Sequence, residues 1–181
     1  MARTIFEFII IATGLDPQAE NFEPRFWEAG CDDATISFQN GRIIADFARE
    51  SPTIEEALAS AVANVRQAGA TVERIEPDPL VSLSDMATRS GMSRAAMTNY
   101  FKGHRQDGFP PPCAKVTSNS PLWDWADAAE WLADHGRLDA KAAHTAAVLR
   151  AANEAIARGA KDFSRALQMG VKKRAKIMAA A

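Results

Sequence analysis

The 181-residue sequence holds only two cysteines, Cys31 and Cys113, far apart along the chain and in no C-x-x-C pair. That excludes a disulfide-stapled fold. No apolar run is longer than Phe8 to Ala12, whereas a membrane-spanning helix requires roughly 20 residues. A basic start followed by an apolar core and a small-residue cleavage site is also missing, so a cytoplasmic location without membrane association is expected. Residues 1 to 79 contain no histidine, no lysine and no glycine-rich phosphate loop, which removes the commonest general base and the usual nucleotide cradle. What is present is ordinary globular usage, 47% apolar, 24% charged and 8% aromatic. The chain is long enough for one medium domain or two small ones.

The net charge of −2 conceals an asymmetry. Residues 1 to 79 hold six Arg against 14 acidic residues, a net of −8. Residues 80 to 120 carry Arg89, Arg94, Lys102, Arg105 and Lys115 against Asp85 and Asp107, and residues 121 to 181 carry ten basic against seven acidic groups, +3 in each stretch. Different partners are expected for the two parts.

In the acidic part, Thr4 to Ala12 is apolar at nearly every position and reads as a central strand. Pro17 and Pro24 break the next segment, in which Asn21 to Ala29 reads as a short helix stopped by Gly30. Ala34 to Gln39 alternates apolar and polar residues, Asn40-Gly41 supplies a turn needing two positive φ values, and Arg42 to Arg49 forms the returning strand. Thr53 to Glu56 spells a capping box. Ile54, Ala57, Leu58, Ala61, Val62, Val65 and Ala68 follow at helical spacing, and a last strand spans Thr71 to Glu76. The order βαββαβ predicts a ferredoxin-like sandwich, helices on one face of an antiparallel sheet. Its expected role is dimerisation, sensing or binding of a protein partner. The acid pair Asp32-Asp33 reads as a solvated turn rather than a catalytic pair.

Beyond Glu76-Pro-Asp-Pro79 the chain changes character. Ser84 is placed to cap a helix that turns Met86 and Ala87 inward, Gly91 offers a left-handed stop, and Ser93 caps a second helix with Met97, Tyr100 and Phe101 on its apolar side. This is a helix-turn-helix pattern; an incidental helical hairpin is the plainer alternative. The other side of the second helix carries Arg94, Ala95, Thr98, Asn99 and Lys102. Arg pairs bidentately with guanine and Asn with adenine, Ala and Thr methyls meet thymine methyls, and Ser93, Lys102 and Arg105 lie where phosphates would be held.

Phe109 to Val116 and Pro121 to Trp125 then read as two short strands joined by Thr117-Ser-Asn-Ser120, closed by a helix from Ala126 to Leu132. With the Ser93-Arg94 start of the second helix, the Gly108-Phe-Pro entry and the run to Trp131-Leu132, residues 80 to 135 resemble the winged-helix regulators of the excisionase, AlpA and MerR-like group. The resemblance implies a recognition helix in the major groove and a wing against the backbone or minor groove, making Lys115, Ser118, Asn119 and Ser120 the candidate wing contacts. The Thr117 to Ser120 tip departs from the group's Gly with Arg or Lys. Trp123, Trp125 and Trp131 read as core rather than as stacking platforms.

His104, Cys113, His135 and His144 show no ligand spacing, so no metal and no cofactor are expected. From Asp139 the chain is alanine-rich and helical, interrupted at Gly159 and Gly170, with Arg165, Lys172, Lys173, Arg174 and Lys176 after the last acidic residue, Asp162. The expected division is a ferredoxin-like domain over 1–78, a winged helix-turn-helix over 79–136 and a helical extension over 137–181, in the α+β class. The function these features imply is a non-enzymatic, sequence-specific regulator of double-stranded DNA acting as a homodimer. An antitoxin-like protein whose acidic domain neutralises a partner, and an excisionase-like architectural factor, are the alternatives.

Overall fold

The computed structural model describes residues 3–105 and 107–178. In chain order its elements are β1 (Thr4–Thr13), α1 (Phe22–Glu28), β2 (Ala34–Gln39), β3 (Arg42–Ser51), α2 (Ile54–Gln67), β4 (Thr71–Glu76), β5 (Leu80–Val81), α3 (Leu83–Ser90), α4 (Arg94–Phe101), β6 (Trp123–Asp124), α5 (Trp125–Asp134), α6 (Ala140–Ala157) and α7 (Phe163–Met178). The class is α+β. The chain divides into two compact units, residues 1–77 with 151–181, and residues 78–150. The stretch 137–181 is thus shared between the units, the boundary falling inside α6.

In the first unit four strands form an antiparallel sheet in the order β2-β3-β1-β4. Asn40 and Gly41 join β2 to β3 with φ of 51° and 76°, the pair of positive values that a tight type I′ hairpin demands. On one sheet face Phe8, Ile10 and Ala12 of β1 lie opposite Phe47, Ala45 and Ile43 of β3, and all six are buried. The Phe8 and Phe47 rings stack at 5.4 Å. Helix α2 packs against this sheet through Ile54, Ala57, Leu58, Ala61, Val62 and Val65. Burial of a large apolar side chain is worth about 1.5–3 kcal/mol, so this stripe holds the helix more firmly than its propensity does. The Thr53 hydroxyl accepts from Glu56 N–H at 3.2 Å, one half of the expected capping box.

Asp33 is not the solvated turn residue expected from the sequence. Its carboxylate grips Arg49 bidentately, at 2.8 Å from Nε and 2.7 Å from Nη2. Arg49 is 8% exposed and also donates to Ser60 Oγ at 3.0 Å, Asn64 Oδ1 at 2.8 Å and Gly30 O at 2.9 Å. A buried guanidinium is tolerated only when its donors are matched in this way. Cys31 sits nearby in the core, and burial pushes its thiol up to about 11; it is a small protonated hydrophobe, not a nucleophile.

The two sheet edges differ. Along β4, Asn153 of α6 mimics a further strand: its Nδ2 donates to Ile75 O at 2.9 Å, and its Oδ1 accepts from Ile75 N–H at 2.8 Å. Gly170 lies inside α7 without ending the helix, contrary to the interruption expected there. A methyl group at Gly170 would stand 3.1 Å from Ala151 Cβ, so the glycine permits a close approach of α6 and α7.

The second unit is built on Val81, Met86, Met97, Tyr100, Trp123, Trp125, Trp131 and Leu132, with Ala146 of α6 completing the cluster. Strand β5 pairs antiparallel with β6, Leu80 opposite Asp124 and Val81 opposite Trp123. The strand expected over Phe109 to Val116 does not form: there Ala114 alone is bridged to Leu122. Pro110, Pro111 and Pro112 lack the N–H groups a ladder needs, and Trp123 pairs with Val81 instead. The indole of Trp123 donates to Pro110 O at 3.0 Å, tethering the proline run. Arg150 of α6 binds Asp127 at 2.8 Å and Asp124 at 3.4 Å.

Candidate nucleic-acid interface

Helix α3 starts at Ser82, not at Ser84. The Ser82 hydroxyl accepts from Asp85 N–H at 3.2 Å while the Asp85 carboxylate accepts from Ser82 N–H at 2.8 Å, a reciprocal capping box. Ser84 has no place in it because the box pairs residues three apart. The bonds from Ser82 hold the Asp85 carboxyl below its ordinary range. Gly91 ends the helix at φ 69° and ψ 17°, a left-handed geometry that costs glycine little. Ser93 then starts α4, its hydroxyl accepting from Ala96 N–H at 3.2 Å.

Met97 and Tyr100 anchor α4, at 0% and 2% exposure, with Tyr100 edge-on to Trp131 at 5.2 Å. Phe101, expected on the buried side, is 40% exposed, although its ring meets Trp123 edge-on at 5.1 Å. The reason is angular. At about 100° per residue, Phe101 falls at the border of the apolar arc, beside Arg94. By the same geometry Arg94, Ala95, Thr98, Asn99 and Lys102 share an arc of about 140° on the opposite side.

Ser93, Arg94, Ala95 and Lys102 are exposed, and Thr98 and Asn99 are half-buried. Thr98 donates its hydroxyl to Arg94 O at 2.9 Å, leaving its methyl and an oxygen lone pair for another contact. No acidic residue lies on α4. The side chains of Arg94, Asn99 and Lys102 have no hydrogen-bond or ion-pair partner among the described residues. Arg105 is exposed just beyond the helix.

The segment expected as a wing is a compact loop above the Ala114–Leu122 bridge. Cys113 N–H donates to Leu122 O at 2.8 Å and Leu122 N–H to Ala114 O at 2.9 Å. Lys115 has φ 49°, and its carbonyl accepts from Ser118 N–H at 2.9 Å. Ser118 Oγ accepts from Ser120 N–H at 3.1 Å. Lys115, Ser118, Asn119 and Ser120 are all exposed, as is Val116 at 61%. Val116 carries no sequence signal that separates it from a strand residue; its exposure follows from the short bridge.

Arg89 belongs to a different class from the other basic residues of this stretch. It donates through Nη2 to Asp78 O at 2.9 Å and lies 5.5 Å from the centre of the Trp125 ring. Burial lowers its pKa, against the opposing attraction of Asp85 and Asp78. Its role is to tie α3 to the chain entering the unit. Trp123, Trp125 and Trp131 are 1%, 8% and 9% exposed and are core. His135 stacks on Trp131 at 4.0 Å. Among the described residues no three His, Cys, Asp or Glu side chains converge as metal ligands, and no helix is long and apolar enough to cross a membrane.

Comparison of the chain with protein-family models, curated proteins and solved structures gives no significant match.

Proposed function

We propose that the protein is a sequence-specific regulator that binds double-stranded DNA through residues 78–150, with α4 lying in the major groove. The observation that carries this is the α4 face itself: Arg94, Ala95, Thr98, Asn99 and Lys102 on one arc, without an acidic neighbour on the helix, and with Arg94, Asn99 and Lys102 unengaged among the described residues. Groups that read base edges must be available to do so, and a solvated face serving only solubility would more commonly carry both signs of charge. The unit is read as a winged helix-turn-helix in which the Lys115 to Ser120 loop, with Arg105 and Ser93, meets the phosphate backbone. The first unit is read as ferredoxin-like from its element order and its β2-β3-β1-β4 sheet.

The reading includes a homodimer, since helix-turn-helix proteins commonly engage two half-sites about 34 Å apart. It assigns no catalytic step and no cofactor. Titrating a randomised DNA library at several salt concentrations tests it. A preferred site is expected, with Arg94→Ala and Asn99→Ala each losing about 1–3 kcal/mol of discrimination at one base position. Lys102→Ala should weaken all sequences alike and lower the salt slope by about one. Absence of any sequence preference overturns the reading.

A further inference from the structure

The two edges of the four-stranded sheet are treated differently. The β4 edge carries Glu73, Arg74 and Glu76 and is bonded by Asn153; charge and coverage are the usual protections of an edge. Strand β2, Ala34-Thr-Ile-Ser-Phe-Gln39, forms the other edge and carries no charge. Ala48 N–H donates to Asp33 O at 3.0 Å. In the observed register this directs Thr35, Ser37 and Gln39 toward β3, leaving the N–H and C=O groups of Ile36 and Phe38 on the free side.

Beside this edge runs an open groove of about 490 Å³ between β2 and α1, lined by Phe26, Trp27, Cys31, Ala34 and Ile36 among others. Trp27 is 68% exposed and Phe38 44%. Ala34, Ile36 and Phe38 face the same side of the sheet as buried Phe47, Ala45 and Ile43. An added strand would therefore place alternate side chains in the groove. The surroundings are acidic: Glu23 lines the groove, and Glu28 and Asp32, sequence neighbours of lining residues, are exposed. Residues 16–33 hold six acidic groups against Arg25 alone.

We propose that the β2 edge is a docking site for an extended, basic segment of a partner protein, which adds antiparallel or parallel to β2 and seats alternate apolar side chains against Trp27 and Ile36. A second copy of this chain fits the charge less well, because two-fold pairing of β2 would bring the same acidic surroundings together. The proposal does not rest on the DNA-binding reading.

The test is selection of a displayed random decapeptide library on the full chain, followed by fluorescence anisotropy with the best peptide. Enrichment of peptides alternating apolar residues with Lys or Arg is expected. N-methylation of alternate peptide nitrogens on the bonding side should weaken binding at least tenfold, methylation of the others much less. Trp27→Ala, at an exposed position that leaves the core intact, should weaken it at least fivefold, and Ile36→Lys at least tenfold. Failure to enrich any peptide, enrichment of acidic ones, or indifference to both N-methylation and Trp27→Ala overturns the proposal. So does a dimer of the full chain that Ile36→Lys converts to monomer.

Discussion

Arg49 shows how much one side chain contributes when its charge is withdrawn from water. Its guanidinium donates five hydrogen bonds, to Asp33, Ser60, Asn64 and Gly30. Removing the guanidinium leaves the Asp33 carboxylate and the Gly30 carbonyl short of donors. Arg49→Ala is therefore expected to cost about 3 kcal/mol, read as a lowered urea midpoint with unchanged slope. Arg49→Lys should recover only part, because an ammonium cannot reproduce the planar fork. Asp85 gives a pH-dependent counterpart. Its folded pKa lies below the unfolded value because Ser82 donates to the carboxylate. The contribution is thus present above about pH 4 and fades as pH falls through the carboxylate range. Asp85→Asn should cost about 1 kcal/mol at neutral pH, by analogy with lost helix caps, and the gap from the parent should close in acid. A gap constant down to pH 2 would contradict the assignment.

Among the elements, α7 tests whether propensity or packing decides a helix position. Glycine in a helix interior costs about 1 kcal/mol relative to alanine, yet the methyl of Gly170→Ala would press on Ala151 at 3.1 Å. The substitution should yield none of the usual gain. In an Ala151→Gly background the same change should stabilise by up to about 1 kcal/mol, a coupling that thermal unfolding of the four variants would read. On α4, local chemistry and site coincide: Ser93, Gly91 and the 3.6-residue spacing were legible in the sequence, and they place Arg94, Ala95, Thr98, Asn99 and Lys102 on one arc. Phe101 and the absent strand over Phe109 to Val116 were not. Three consecutive prolines do not reveal which partner Trp123 takes, and that choice went to Val81 across 42 positions.

For the whole molecule, the boundary inside α6 matters most. A chain stopped after Gly136 loses Ala146 and Arg150 from the second unit and Asn153, Phe163 and Leu167 from the first. Both units should be destabilised together. Faster hydrogen exchange at the Ile75 amide, whose acceptor is Asn153, and lower melting of the Trp131 environment would report the two losses separately. Exchange at Ile75 unaltered by the truncation would contradict the role given to Asn153.

Local signals, acting over a few residues, were determined by the sequence alone: the Asn40-Gly41 hairpin, the capped α2 stripe, the Gly91 stop and the order βαββαβ. They depend on backbone sterics and on side chains bonding their own turn. Tertiary structure alone decided the burial of Arg49 with Asp33, the pairing of β6 with β5, the sharing of α6 between two units and the contrast between a covered β4 edge and a bare β2 edge. Each of these joins residues distant along the chain, and their energies depend on which groups packing leaves with or without water. No local pattern encodes that choice.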